Sequence, residues 1–578
     1  MLRRLVFAAL VVCPGIALAQ PGEPPPDPAG AQPAQAQPPP AGVDDAKIRE
    51  IVDRELARVL TERAAKEAAE KAAREQAERE QTPDKPGDLT GSSGFMDTRL
   101  AFTLTNENML ARPGETIPSV PGFRFGVPNS LGVLFFDNYD TKYSGFETLT
   151  HATMYRSFSR GHLQAEAAVV LRFNELTESV IPLSDAGTYI TVTNWKDPTH
   201  KDPTRISLTA FPVSADRFRL GYSYRLSWGG NPEYQRGARA RSATPGVKLQ
   251  YDTENMYAFI GAKSAVLVDP NDGEQKSALA ALAGAGIDPN PSLRLEVNGG
   301  FFDRGYNDVV DVQDQKIQMF GASAQATIHK GMPIRSSVDY RLYKFNGEQV
   351  SQLFSPEKYP GGLAWVVSAE ATMIGQTLKD PERTGSTKIQ YGRAGDVNVR
   401  VKLDRVRLRA DLSYRDLAFI LHKQAGIPAG SDFPDVYTTQ SDLFAAVGAD
   451  KNWSDFLTLG AIVGVERPAT LTSPKGIPGA IAAGMGTSTA VIRDNNIDPP
   501  LITILPAGEA AVPQFAVKGT AKVDFAKIFS TVLEVFYSYD GNQTRYVRAC
   551  DDPEQCPFEY QFGQFNQLGV NLTLQARF

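Results

Sequence analysis

The last eleven residues, Leu568-Gly569-Val570-Asn571-Leu572-Thr573-Leu574-Gln575-Ala576-Arg577-Phe578, alternate without a break. Leu568, Val570, Leu572, Leu574, Ala576 and Phe578 fall on one side of an extended chain. Gly569, Asn571, Thr573, Gln575 and Arg577 fall on the other. A helix would scatter these two sets around its circumference, so the period of two predicts a strand with one apolar and one polar face.

The same period runs back to Gly94. Val397, Val399, Val401 and Leu403 alternate with Asp396, Asn398, Arg400 and Lys402. Val406, Leu408, Ala410, Leu412 and Tyr414 alternate with Arg405, Arg407, Arg409, Asp411 and Ser413. Phe218, Leu220, Tyr222, Tyr224, Leu226 and Trp228 alternate with Arg217, Arg219, Gly221, Ser223, Arg225 and Ser227. Many of these runs reach ~9–12 residues, the length a tilted membrane strand needs and longer than the usual soluble strand. Aromatic residues gather near the run ends, and connections alternate short (159–161, 252–255, 451–455) with long (174–202, 417–437, 467–512, 541–565). Such a pattern predicts an all-β chain forming a large antiparallel transmembrane barrel over 95–578.

With both ends on one side of the membrane the strand number must be even; sixteen to eighteen fit, with eighteen favoured. The segments are 97–105, 147–158, 161–173, 204–211, 216–228, 245–252, 255–266, 275–286, 292–302, 316–328, 333–344, 395–403, 405–416, 438–450, 455–466, 513–524, 527–540 and 566–578. The run 275–286 is Ala-rich and weakly patterned, and 362–376, though strand-like, is assigned to a long loop by parity. The loop 467–512 is apolar and rich in Gly and Pro, which predicts packing against the barrel or a neighbour, as a constriction or as a lid.

A one-sided strand ending in Phe578 resembles the C-terminal strand of Gram-negative outer-membrane β-barrels. That resemblance implies that Phe578 is an assembly signal read by the barrel-assembly machinery. Over its whole body the chain resembles porins, which implies a water-filled channel in the cell outer membrane for passive diffusion of small hydrophilic solutes.

The N-terminal part differs in kind. Residues 1–19 carry Arg3 and Arg4, an apolar core and a small-residue Ala17-Leu18-Ala19 end, which read as a secretory signal peptide. Residues 20–42 are a Pro/Ala-rich linker. Residues 43–82 have helical composition with Ile48, Val52, Leu56 and Val59 on one face. The apolar face fades after Leu60, leaving a short oligomerising coiled coil or a solvated charged rod as alternatives. A helix before a barrel resembles trimeric porins with a coiled-coil prefix, which implies a homotrimer with this helix in the periplasm.

Composition excludes other classes. The 578 residues are 42% hydrophobic and 22% charged, and beyond residue 20 no run approaches the ~18 apolar residues of a spanning helix. The net charge of −6 becomes −8 once Arg3 and Arg4 are removed with the signal peptide, which argues against a nucleic-acid partner. Cys550 and Cys556, within CDDPEQC, are expected to form a local disulfide. Histidines 151, 162, 200, 329 and 422 show no metal-ligand spacing, and no catalytic motif or cofactor signature appears, so no enzyme is expected. A structural or adhesive barrel joining membrane to cell wall is the main alternative, and a barrel-type hydrolase a lesser one.

Alternation assigns Arg217, Arg219, Arg225, Arg400, Lys402, Arg405, Arg407 and Arg409 to the pore lining. Clustered cations on a low-dielectric wall raise the local anion concentration and set an anion-leaning pore. Pairing of the same residues with inward acids such as Asp396, Glu370 and Asp411 is the competing role.

Overall fold

The computed structural model describes residues 92–105, 123–125, 151–173, 183–185, 188–213, 218–223, 226–229, 243–331, 362–422, 430–476, 487–492, 502–525, 529–548, 558–563 and 566–577. The proposed signal peptide, linker and prefix helix, with Cys550, Cys556, Phe578 and the segment 333–344, lie outside the described residues.

Eighteen of the described strands form one antiparallel ring. In chain order they are β1 Ser92–Thr105, β2 His151–Arg160, β3 Leu163–Phe173, β4 Tyr189–Trp195, β5 Arg205–Phe211, β6 Gly246–Asp252, β7 Met256–Val268, β8 Gln275–Asn290, β9 Leu293–Tyr306, β10 Lys316–Lys330, β11 Leu363–Lys379, β12 Thr387–Leu403, β13 Val406–Arg415, β14 Asp442–Ser454, β15 Leu457–Arg467, β16 Gln514–Asp524, β17 Phe529–Tyr539 and β18 Asn566–Arg577. Each pairs with the next, and β1 closes on β18 from Asp97↔Arg577 to Thr105↔Gly569. Antiparallel closure places the start of β1 and the end of β18 at the same rim.

The faces of this ring are inverted relative to a water-soluble protein. Outward residues are apolar and exposed: Leu279 is 63% exposed, Ile260 61%, Val447 57% and Val297 56%. Their inward neighbours are polar and buried, among them Lys248, Lys263, Arg294, Glu296 and Gln376. Exposing one such aliphatic side chain to water forgoes about 1.5–3 kcal/mol. Repeated around the ring, that cost exceeds the ~5–15 kcal/mol of a folded domain. The outer wall therefore faces lipid, and the fold is a large transmembrane β-barrel.

The eighteen-strand count agrees with the sequence expectation, but its membership differs. The described residues of the expected strand 216–228, namely 218–223 and 226–228, do not form a wall strand. They turn inward as a short hairpin in which Leu220 and Trp228 exchange both backbone hydrogen bonds at 2.7 Å. Gly221, at φ +100°, permits the turn, and a Cβ there would sit 2.8 Å from Ser227 Cα. Phe218, Leu220, Tyr222, Leu226 and Trp228 are all buried. They join one apolar core with Phe259, Ala278, Ala280, Leu282, Phe302 and Met319 of β7–β10. The alternation in this segment is real, but its apolar face meets the inner wall rather than lipid. The same contact explains the weak pattern of β8, which is apolar on both faces.

Two wall strands fall in segments expected to be loops. Within the expected loop 174–202, β4 has Ile190 and Val192 outward and Tyr189, Thr191 and Thr193 inward. Its hydroxyl-rich inner face gives little hydropathy contrast. The other, β11, includes the 362–376 run assigned to a loop; Ala364 and Val366 face inward and blur its alternation.

Above the β11–β15 side the long loops build a cap. Strands at Thr438–Gln440, Ala469–Ser473, Ser488–Ile492 and Ile502–Ile504 form a four-stranded sheet. It shares a core with helix α1, Leu417–Ile420, through Ile420, Leu471, Ala490 and Ile492. The expected packing of loop 467–512 takes this form.

A direct check of the lipid-facing reading is Ile260→Arg. The change is expected to destabilise the barrel in lipid vesicles by about 2–4 kcal/mol, the cost of a charge at mid-membrane depth. A loss under ~0.5 kcal/mol in urea unfolding, as for an ordinary surface site, would contradict it.

Candidate pore lining

The inward hairpin is held by polar wall residues as well as by its apolar face. Glu370 of β11 accepts hydrogen bonds from the backbone N–H groups of Tyr222 (3.0 Å) and Ser223 (2.5 Å), and from the Thr372 hydroxyl (3.1 Å). Lys263 of β7 donates to the carbonyl of Gly229, and Trp228 Nε1 donates to Ser323 Oγ at 3.3 Å. A buried charge is costly unless it is hydrogen-bonded, so these groups fix the hairpin in one position. Lys263 is not marked by the sequence pattern, because its neighbours Ala262 and Ser264 show no apolar alternation.

A second segment enters beside the first. Asp416 caps α1 by accepting from Phe419 N at 2.8 Å, and Phe419 packs into the same core as Met319, Ile374 and Ala394. Gly392 of β12 leaves room for this helix, since a Cβ there would lie 2.6 Å from Phe419 N. Arg304 of β9 ties the end of the segment, donating to the His422 carbonyl (2.6 Å) and to Gln376 Oε1 (2.9 Å). The hairpin and α1 thus cover the inner wall at Phe259, Phe302, Met319, Ile374 and Ala394.

The wall from β12 to β17 carries the basic residues. Arg400 lies directly across from Arg409, and Lys402 directly across from Arg407. These four alternate with the outward Val401, Leu403 and Leu408, so they share the inner face. Arg407 forms an ion pair with Asp450 at 2.6 Å, and Lys518 pairs with Glu534 at 2.9 Å. Lys522 meets Asp524 at 3.4 Å, and Arg415 is sealed against Asp442 at 2.6 Å with both side chains 1% exposed. Arg400, Arg407 and Arg409 are half-buried, whereas Lys402 and Lys518 of the same wall are buried, as are Lys263, Arg294 and Arg304 on the covered side.

No family model and no curated protein matches this chain. Similar solved structures are OccK8 (OprE) of Pseudomonas aeruginosa, at 8% identity over 84% of this chain and 98% of that one, with TM-score 0.39. OprD of the same organism matches at 8% over 84% and 95%, with TM-score 0.35. OmpT, an outer membrane protein of Vibrio cholerae, matches at 8% over 85% and 98%, with TM-score 0.31. The barrel assignment rests on the closed ring and inverted faces of the chain itself.

The remaining pore-lining candidates divide. Arg219 sits on the inward hairpin between Phe218 and Leu220, off the barrel wall. Arg217 and Arg225 fall outside the described residues. Arg405 belongs to the turn joining β12 to β13, where Asp404 adopts φ 50°. Its side chain is 54% exposed and reaches Asp455 at 3.4 Å. Among the described residues no group of three metal-ligating side chains occurs.

At the β2–β5 rim, Asp197 organises the turn 196–204 by accepting from the Thr199 hydroxyl (2.6 Å) and from the N–H groups of Thr199 and Lys201. These donors hold its carboxyl well below the usual carboxylate range. Its contribution to the turn is present above the ordinary carboxylate pKa and is lost as pH falls through the depressed value.

Glu370→Ala removes the shared acceptor of Tyr222 and Ser223. A buried hydrogen bond contributes ~0.5–1.5 kcal/mol, so exchange of those two amides is expected to accelerate about twofold to tenfold in hydrogen-exchange mass spectrometry. Unchanged protection would mean that the apolar contacts alone hold the hairpin.

Proposed function

We propose that this chain is an outer-membrane channel through which small hydrophilic solutes diffuse, with anions favoured. The observation that carries the reading is the direct pairing of the half-buried Arg400 with Arg409, beside that of Lys402 with Arg407, on the inner wall. Like charges directly opposite on adjacent strands destabilise a sheet. A wall that keeps them is accounted for by an anion that passes over them. The inward hairpin and α1 narrow the route and direct solute along this side. Partial neutralisation by Asp450, Glu534 and Asp524 keeps the preference modest. Homotrimeric assembly and a periplasmic prefix over 43–82 are parts of the same proposal.

Replacing Arg400, Arg407 and Arg409 together by Ser is expected to move the reversal potential in a salt gradient toward cations while the barrel still assembles. The loss of Arg407 also removes the ion pair it makes with Asp450, which adds to the shift. The difference between wild type and variant should shrink as salt rises, because the screening length falls from ~8 Å at physiological strength to ~3 Å at 1 M. An assembled variant with unmoved selectivity would remove the arginines from the mechanism.

A further inference from the structure

We infer that Gly448 is a positioning residue for Arg409 and so a specificity-determining position of the channel; the inference rests on the function proposed above. Gly448 of β14 is the direct cross-strand partner of Arg409. A Cβ built on Gly448 would lie 2.8 Å from Arg409 Nε and 3.2 Å from Arg409 Cγ. The arginine therefore lies flat along the wall in the volume that a side chain on β14 would occupy.

The backbone does not ask for glycine here. Gly448 is absent from the positive-φ glycines. In a strand interior glycine weakens the structure by roughly 0.5–1 kcal/mol relative to alanine. What it provides is space, and Arg409 fills that space. Arg409 faces Arg400 on its other side, where like-charge repulsion is strongest if both side chains stand straight into the lumen. Leaning over Gly448 moves the guanidinium off Arg400 and leaves the opening wider.

The neighbouring row also sets a glycine across from a charged residue. Asp450 lies directly across from Gly460 of β15, and a Cβ on Gly460 would be 2.8 Å from Asp450 Cβ. Asp450 also holds Arg407 at 2.6 Å.

The test compares wild type, Gly448→Ala, Arg409→Ser and the double variant G448A/R409S in planar bilayers. G448A is expected to swing Arg409 off the wall, lowering single-channel conductance and moving the reversal potential further to the anion side. In the Arg409→Ser background the same methyl should change neither. If wild type conducts and Arg409→Ser shifts selectivity, but G448A matches wild type, the positioning role is overturned while the channel reading stands. If wild type carries no current, the channel reading itself fails. Should G448A alone not assemble, G448A/R409S must assemble, because the obstruction is Arg409. Failure of both would place the conflict at the Ala461 carbonyl, 3.2 Å from the added carbon, and overturn the proposal.

Discussion

A sheet in lipid has no water to satisfy an open edge, so every backbone N–H and C=O must find a partner within the protein. The pairing of β1 with β18 meets that constraint, and most other features follow from it. Closure fixes an inside and an outside. The outside must be apolar, as Ile260, Leu279 and Val297 are, and the alternation of the strand then sends Lys, Arg, Glu and Gln inward. An eighteen-stranded ring is too wide for these side chains alone to fill.

Where the inner wall is itself apolar, at Phe259, Ala278, Leu282 and Phe302, something must cover it. The hairpin 218–229 and helix α1 do so, and their placement divides the interior chemically. On the covered side Lys263, Glu370 and Arg304 serve as ties to inward backbone. On the other side the arginines of β12 and β13 face each other across a strand pair. Summing all inward charge would miss this division, because a buried tie is not presented to a passing solute.

The legible parts of the sequence were those where the two faces of a strand differ most in polarity. The second half of β12, with β13 and β18, alternates aliphatic with charged or amide residues and is placed by pattern alone. The segment 216–228 alternates equally well and was misplaced, since a period of two identifies an apolar face without saying whether lipid or protein covers it. Conversely β4 and β11 read as loops, because Thr191 and Thr193, or Ala364 and Val366, reduce the contrast between faces. Arg400, Lys402, Arg407 and Arg409 were legible as inward residues, whereas the ties Lys263 and Arg304 were not. Their roles depend on a hairpin and a helix brought from distant parts of the chain. The role of Gly448 was equally hidden, because it depends on the side chain of a residue thirty-nine positions earlier.

The most direct test of the central claim is a planar-bilayer recording of the full-length wild-type protein in a salt gradient. The account predicts steady conductance steps with a reversal potential displaced modestly to the anion side at low salt. Absence of steps from correctly assembled protein would contradict a conducting lumen, and a reversal potential on the cation side would contradict the part assigned to the paired arginines.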